Sequence, residues 1–160
     1  MINQLYCDGA AKNNPGPSGC GAVLYLVSPP PESKVEMTQS LGVGTNNEAE
    51  YCGLLLGMRE AHERYQLDKL IIRMDSALVV NQVNGKWKCK AVNLKPYLQA
   101  AQSLLKKHQP GWILEWIPRD QNAVADRLAN KAVRTDCVIL GENPRRFLET
   151  FTGEKKTESD

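Results

Sequence analysis

The spacing of turn formers in the first forty-five residues limits what this chain can fold into. Lys12-Asn13-Asn14-Pro15-Gly16-Pro17-Ser18-Gly19 is a run in which nearly every residue favours a turn. A second break, Ser28 to Ser33, contains three prolines. Between the breaks lie Ile2 to Cys7, Gly21 to Val27 and Lys34 to Leu41, each too short for an ordinary helix and rich enough in β-formers for a strand. Three antiparallel strands joined by short turns is the economical reading.

After Thr45 the period changes from two to that of a helix. Thr45-Asn46-Asn47 offers a cap, and Ala49, Cys52, Leu55, Leu56 and Ala61 keep an apolar stripe along a helix from about Glu48 to Tyr65. Leu67 to Met74 alternates as a fourth strand that ends at Asp75. Ser76 to Val83 is a short helix stopped at Asn84-Gly85, and Leu94 to Lys107 a longer one with Pro96 in its first turn. Trp112 to Ile117 reads as a fifth strand and Gln121 to Arg134 as a last helix. The order βββαβααβα predicts an α/β fold: a mixed five-stranded sheet, three strands antiparallel plus two parallel, flanked by helices. Residues 1–135 form one domain in this reading, with 136–160 as an extension. In that extension Phe147, Leu148 and Phe151 make one docked turn, and Gly153 to Asp160 is polar and frayed.

A chain of 160 residues is long enough to bury a core. Its net charge of +2 neither demands nor excludes nucleic acid, because what matters is whether basic residues gather on one face. Cys7, Cys20, Cys52, Cys89 and Cys137 are scattered, odd in number and never spaced C-x-x-C, which predicts reduced thiols packed as small apolar residues. With no signal peptide and no long apolar run, a cytosolic or nuclear monomer without membrane contact is expected.

Four acids occupy positions where the topology would gather them. Asp8 ends the first strand and Asp75 the fourth; if these strands are adjacent and parallel, both carboxylates emerge at one edge of the sheet. Glu50 lies one turn into the first helix and Asp126 two turns into the last, so each could lean over that edge. Converging carboxylates repel and raise one another's pKa values unless a cation neutralises them. Oxygen-only donors suit Mg²⁺ or Mn²⁺, and a pair of such ions is the usual device for in-line phosphodiester cleavage. Glu48 is two residues from Glu50 and cannot share its helix face, so it reads as a favourable acid of the first turn.

The local contexts carry a resemblance. Asp8-Gly9-Ala10-Ala11-Lys12-Asn13-Asn14-Pro15-Gly16-Pro17, Thr45-Asn46-Asn47-Glu48-Ala49-Glu50, Arg73-Met74-Asp75-Ser76 and Gln121-Asn122-Ala123-Val124-Ala125-Asp126-Arg127-Leu128-Ala129 resemble, in order, the four motifs of ribonuclease H type 1. The resemblance covers about residues 1 to 134. It implies that Asp8, Glu50, Asp75 and Asp126 hold two Mg²⁺ ions, with Mn²⁺ as a substitute. It also implies cleavage of the RNA strand of an RNA–DNA hybrid, leaving a 3′-hydroxyl and a 5′-phosphate.

In two departures from the commoner pattern the chain resembles the short-looped, archaeal-type branch of that family. Many members carry a histidine in the loop before the fourth acid; here that loop is Pro118-Arg119-Asp120-Gln121-Asn122. His62 and His108 fall elsewhere and read as solvated surface residues. Arg119 is either a phosphate-holding substitute or a surface arginine in a turn. Between Gly85 and Asn93 there is no room for the family's basic handle helix.

The same motifs imply how a hybrid is held. Asn14, Asn46 and Asn47 fall at the minor groove, where 2′-hydroxyls are displayed, and Ser76 near the RNA strand. Thr45 and Asn93 match a pocket for a DNA-strand phosphate, and Asn46 doubles as a candidate helix cap. Lys86, Lys88 and Lys90 around Trp87 look like a backbone-contacting patch, with Trp87 divided between core packing and the DNA strand. A related metal nuclease or resolvase, a domain detached from a reverse transcriptase, and a binding module with a degenerate site remain as alternatives.

Overall fold

The computed structural model describes residues 2–27, 33–135 and 142–152. Three long strands, β1 (Asn3–Ala11), β2 (Gly16–Tyr25) and β3 (Lys34–Gly44), lead into helix α1 (Asn46–Glu63). Strand β4 (Leu70–Met74), helix α2 (Ala77–Val83), helix α3 (Lys95–Lys107), strand β5 (Trp112–Trp116) and helix α4 (Ala123–Lys131) follow. Helix α5 (Pro144–Thr152) comes last. The five strands form one sheet in the order β3-β2-β1-β4-β5. β1–β2 and β2–β3 pair antiparallel, β1–β4 and β4–β5 parallel, as the sequence predicts.

The strands run further than their turn signals imply. Ala11 pairs with Ser18 and Asp8 with Gly21, so β2 starts inside the turn-rich run, and Asp8 lies three residues before the end of β1. Glycines permit this: a Cβ at Gly19 or Gly21 would crowd Ala132, Leu128 and Ala129 of the α4 region, which packs on that face. On the other face α1 lies so close that a Cβ at Gly57 would meet Leu5 and Cys7. Nine of its residues, from Ala49 to Ala61, are buried on nearly all sides, because α3 and α5 close over the flank the sheet leaves open.

The C-terminal part is more ordered than a single docked turn. Pro144–Thr152 is a nine-residue helix whose Phe147 and Leu148 join the core, each worth about 1.5–3 kcal/mol of burial. Its approach uses Gly42, at φ 83°, where a Cβ would overlap the backbone of Glu142, and Val43 N–H donates to the Glu142 carbonyl at 3.2 Å. Arg59 of α1 lies over Phe147 and Phe151 and donates to Thr150 Oγ1 at 2.9 Å. The turn expected over Ser28 to Ser33, the frayed end and Cys137 fall wholly or largely outside the described residues. Among those described, Cys7, Cys20, Cys52 and Cys89 are unpaired thiols. No helix among them is long and apolar enough to cross a membrane.

His62 and His108 are not solvated surface residues. They are half-buried, share a 2.8 Å contact between ring nitrogens, and His108 stacks on Trp112. The reason is long-range: the ends of α1 and α3 converge there, although each residue alone lies on a polar helix end.

Candidate active site

The sheet register brings the first and third acids together. Tyr6 pairs with Arg73; two residues further on, β1 carries Asp8 and the chain leaving β4 carries Asp75. Glu50 reaches them because α1 presses against β1 at this level. A Cβ at Gly9 would overlap the backbone of Ala49 and Glu50, and one at Gly53 the carbonyl of Asp8. Oxygens of Asp8, Glu50 and Asp75 lie within 4.8 Å of one another. The Gly9 N–H donates to both Asp8 Oδ1 at 2.9 Å and Glu50 Oε1 at 3.1 Å. One donor for two carboxylates leaves the cluster short of positive charge.

The electrostatics follow from that shortage. Burial raises the Glu50 carboxyl well above its ordinary range, and the charges of Asp8 and Asp75 raise it further. Burial likewise raises Asp8, with Asp75 and Asp126 adding to the rise. Asp75 is raised by burial, opposed most strongly by Arg119. Oxygen-only donors, one buried and two half-buried, crowded and held away from their charged forms, fit a hard divalent cation.

Asp126 stands apart from the tight group. It sits in the first turn of α4, not two turns in, because Arg119–Gln121 form a separate 3-10 turn and α4 starts only at Ala123. Its carboxylate accepts from Asn130 Nδ2 at 3.2 Å and acts on Asp8 and Asp75 as a like charge. Arg119 is exposed in the 3-10 turn, and its charge lowers Asp75.

Sequence reasoning gave Asn122 no role, yet it ties three parts of the site. Its Nδ2 donates to the carbonyl of Cys7, next to Asp8, at 3.0 Å, and it stabilises the charged form of Asp75. Its own carbonyl accepts the Asp126 N–H at 3.0 Å. The residue is 1% exposed, and its Oδ1 has no hydrogen-bond partner. A polar residue just before an acidic helix start was the available signal.

The short polar residues divide into clamps and caps. Thr45, not Asn46, caps α1: its hydroxyl accepts from Glu48 N–H at 3.1 Å while Glu48 Oε1 accepts the Thr45 N–H at 3.0 Å. Glu48 Oε2 also accepts from Tyr97 at 3.2 Å, which commits that acid to structure. Asn46 Oδ1 accepts the Ala11 N–H at 2.9 Å, and Asn14 Oδ1 accepts the Asn46 N–H at 2.9 Å, fastening the β1–β2 loop to α1. Ser76 caps α2 through the Val79 N–H at 3.2 Å. Asn47 is exposed, as is Asn93 in the 3-10 turn leading into α3. Trp87 is 49% exposed among exposed Lys86, Lys88 and Lys90, so it does not pack in the core.

Residues 6–132 match the family model described as reverse transcriptase-like. The bifunctional protein Rv2228c of Mycobacterium tuberculosis is 40% identical over 132 residues, which is 81% of this chain but 35% of that protein. The chain thus spans about a third of that relative's length. Superposition on the N-terminal RNase H domain of the same protein gives a TM-score of 0.75 at 36% identity, covering 88% of this chain and 98% of the domain. Ribonuclease HI of Halobacterium salinarum is 37% identical over 128 residues, 80% of this chain and 62% of that enzyme. LC11-RNase H1, solved in complex with an RNA/DNA hybrid, superposes with a TM-score of 0.71 at 32% identity over 82% of this chain and 96% of that one. Strand order, carboxylate cluster and these likenesses agree: the chain belongs to the reverse transcriptase-like family and has the fold of a type 1 ribonuclease H.

Proposed function

We propose that this chain is an endoribonuclease that hydrolyses the RNA strand of RNA–DNA hybrids, leaving 5′-phosphate and 3′-hydroxyl ends. The observation that carries the reading is the convergence of Asp8, Glu50 and Asp75 within 4.8 Å, with Asp8 and Glu50 sharing a single backbone donor, the Gly9 N–H. Asp8, Glu50 and Asp75, with Asp126 at the rim, would hold two Mg²⁺ ions, for which Mn²⁺ would substitute. Bound there, divalent cations would supply the positive charge that phosphodiester hydrolysis needs at the attacked phosphate.

The chain's own backbone and side chains do the rest. Gly9 N–H keeps Asp8 and Glu50 oriented together. Arg119, beside Asp75, holds a substrate or product phosphate, a task suited to its planar fork. Asn14, Asn46 and Asn47 line the face that meets the minor groove, where amides donate to and accept from 2′-hydroxyls. Ser76 lies by the RNA strand, Thr45 and Asn93 by a DNA-strand phosphate, and Trp87 with its lysines against the DNA strand. The catalytic unit is residues 1–135, with 136–160 an extension, in a protein that acts as a monomer in the cytoplasm, or in the nucleus of a eukaryote.

The test is cleavage of matched RNA–DNA hybrid, duplex RNA, duplex DNA and a single-ribonucleotide junction, with Mg²⁺ and Mn²⁺ compared. Efficient cutting of the hybrid and none of duplex DNA is expected. Equal cutting of duplex DNA would overturn the reading in favour of a resolvase-type nuclease.

A further inference from the structure

The end of the molecule away from the carboxylates holds a pair of histidines in direct contact. β4 and β5 run parallel and begin together, Leu70 beside Trp112, whereas Asp75 lies past the far end of β4. Beside Trp112, His62 in the last turn of α1 and His108 just after α3 bring Nδ1 and Nε2 to 2.8 Å. The rings meet edge to face at 72°. His108 lies flat on the Trp112 indole, centroids 3.9 Å apart and planes 9° off parallel. The Trp112 indole N–H is itself held by the Leu67 carbonyl at 2.9 Å, so His108 rests on a fixed platform. Both imidazoles line a cavity of about 380 Å³ with Glu63, Gln66, Leu67 and Asp68.

Two ring nitrogens this close cannot both carry a hydrogen. The contact is a hydrogen bond in which one ring donates its N–H to the lone pair of the other; a change of tautomer moves that hydrogen to the far ring nitrogen and leaves two lone pairs side by side, the donor type a borderline cation takes. We propose that His62 and His108 form a transition-metal site for Zn²⁺ or Ni²⁺, separate from the carboxylate cluster, completed by Glu63 or Asp68 and water. Tetrahedral bonds of about 2.0–2.1 Å place two nitrogens about 3.3 Å apart, so the pair has to open by only about half an ångström. Small rotations of His62 supply this while His108 stays on Trp112. Glu63 and Asp68 are exposed and free to turn towards the ion. Donor chemistry separates the two sites: imidazole favours Zn²⁺ and Ni²⁺, carboxylate oxygen favours Mg²⁺ and Mn²⁺. A bound ion fastens α1 to the α3–β5 corner across a separation of 46 residues.

Calorimetric titration of the whole chain with Zn²⁺, in excess Mg²⁺ to occupy the carboxylates, tests this. The native chain is expected to bind one Zn²⁺ that both His62→Gln and His108→Gln lose, and to gain thermal stability with Zn²⁺ that neither variant gains. Ni²⁺ should quench part of the tryptophan fluorescence saturably, through Trp112, in the native chain only. Equal Zn²⁺ binding by native chain and variants, or none by the native chain, overturns the proposal. Should His108→Gln unfold, the imidazole ¹⁵N shifts of the native chain decide: His62 and His108 moving together with Zn²⁺ supports the site, and unmoved shifts sink it.

Discussion

Tyr6 and Asp8 on β1, and Arg73 and Asp75 at the end of β4, make two successive rows that alternation carries towards the same face of the sheet. In the first row every group has a partner. Arg73 donates to Glu115 at 2.8 Å, to Gln4 at 2.6 Å and to the Tyr6 hydroxyl at 2.8 Å, and lies near the Tyr6 ring. In the second row acceptors outnumber donors: Asp8 and the incoming Glu50 share the Gly9 N–H, and Asp75 has its own backbone N–H and the Asn122 amide. The cation nearest Asp75 in sequence is committed to Glu115, and Arg119 reaches Asp75 only from the rim. A few ångströms of strand separate a row built for the fold from a row that the fold alone leaves unsatisfied. The second row is stable only by staying protonated or by meeting a cation.

Breaking the second row should have the largest effect. Asp8→Asn or Asp75→Asn is expected to remove nearly all hybrid cleavage, about 10³-fold or more, since bound cations contribute several kcal/mol to such reactions. In the metal-free chain the same replacement relieves repulsion, so the unfolding temperature should hold or rise. Activity within a few-fold of the parent in either variant would mean that the carboxylates are not the metal site. Arg119→Ala should come next, lowering turnover by about 2–4 kcal/mol, roughly thirty- to several-hundred-fold, with Mg²⁺ affinity almost unchanged. Arg119→Lys should restore only part, because an ammonium lacks the guanidinium fork. Full turnover in Arg119→Ala would return this residue to an ordinary turn position.

The rows also differ in how they respond to pH. A carboxyl whose folded pKa is raised stabilises the native state below its unfolded value, about 3.9 for Asp and 4.3 for Glu, and loses that contribution as pH climbs through the folded value. For Asp8, burial places the folded value at about 7. The metal-free chain should therefore lose stability between about pH 4 and pH 7, by about 1–3 kcal/mol once the open mouth of the site is allowed for. Mg²⁺ should restore it at pH 8, and Asp8→Asn should flatten the slope. A metal-free native chain with no such slope would show that water reaches these acids freely.

Local signals carried further than long-range ones in this chain. The strands, the start of α1 within Thr45-Asn46-Asn47 and Glu48 as an acid of its first turn follow from neighbours in sequence, whereas the choice of Thr45 over Asn46 as the cap came from the structure. Position along a helix was less legible: Asp126 moved from the second turn to the first because the 3-10 turn at Arg119–Gln121 intervenes. Asn122 acts through contacts with Cys7 and Asp75, far away in the chain, so its place before an acidic helix start could mark it as a cap but not show what it holds. The His62–His108 pair joins two polar helix ends that only the packing of α1 against α3 brings together. α5 was under-read because its apolar residues are few, and its docking depends on Gly42 and Glu142 meeting backbone to backbone.

The smallest effect should come from breaking the first row. The Arg73–Glu115 pair is partly open to solvent, with side-chain exposures of 22% and 45%, so its strength is screened despite good geometry. Arg73→Gln removes donors from Glu115, Gln4 and Tyr6 together and should cost about 0.5–1.5 kcal/mol of stability. Glu115→Gln should cost less, because Arg73 keeps Gln4 and Tyr6. The double replacement should cost less than the two singles combined, since each single already breaks the shared ion pair. Denaturant unfolding measures these differences, and hybrid cleavage of the same variants should stay within a few-fold of the parent. If Arg73→Gln instead abolished cleavage as Asp8→Asn does, the two rows would be one electrostatic unit. Arg73 would then serve the carboxylates through Asp75, and the line between fold and site would have to be drawn at Glu115.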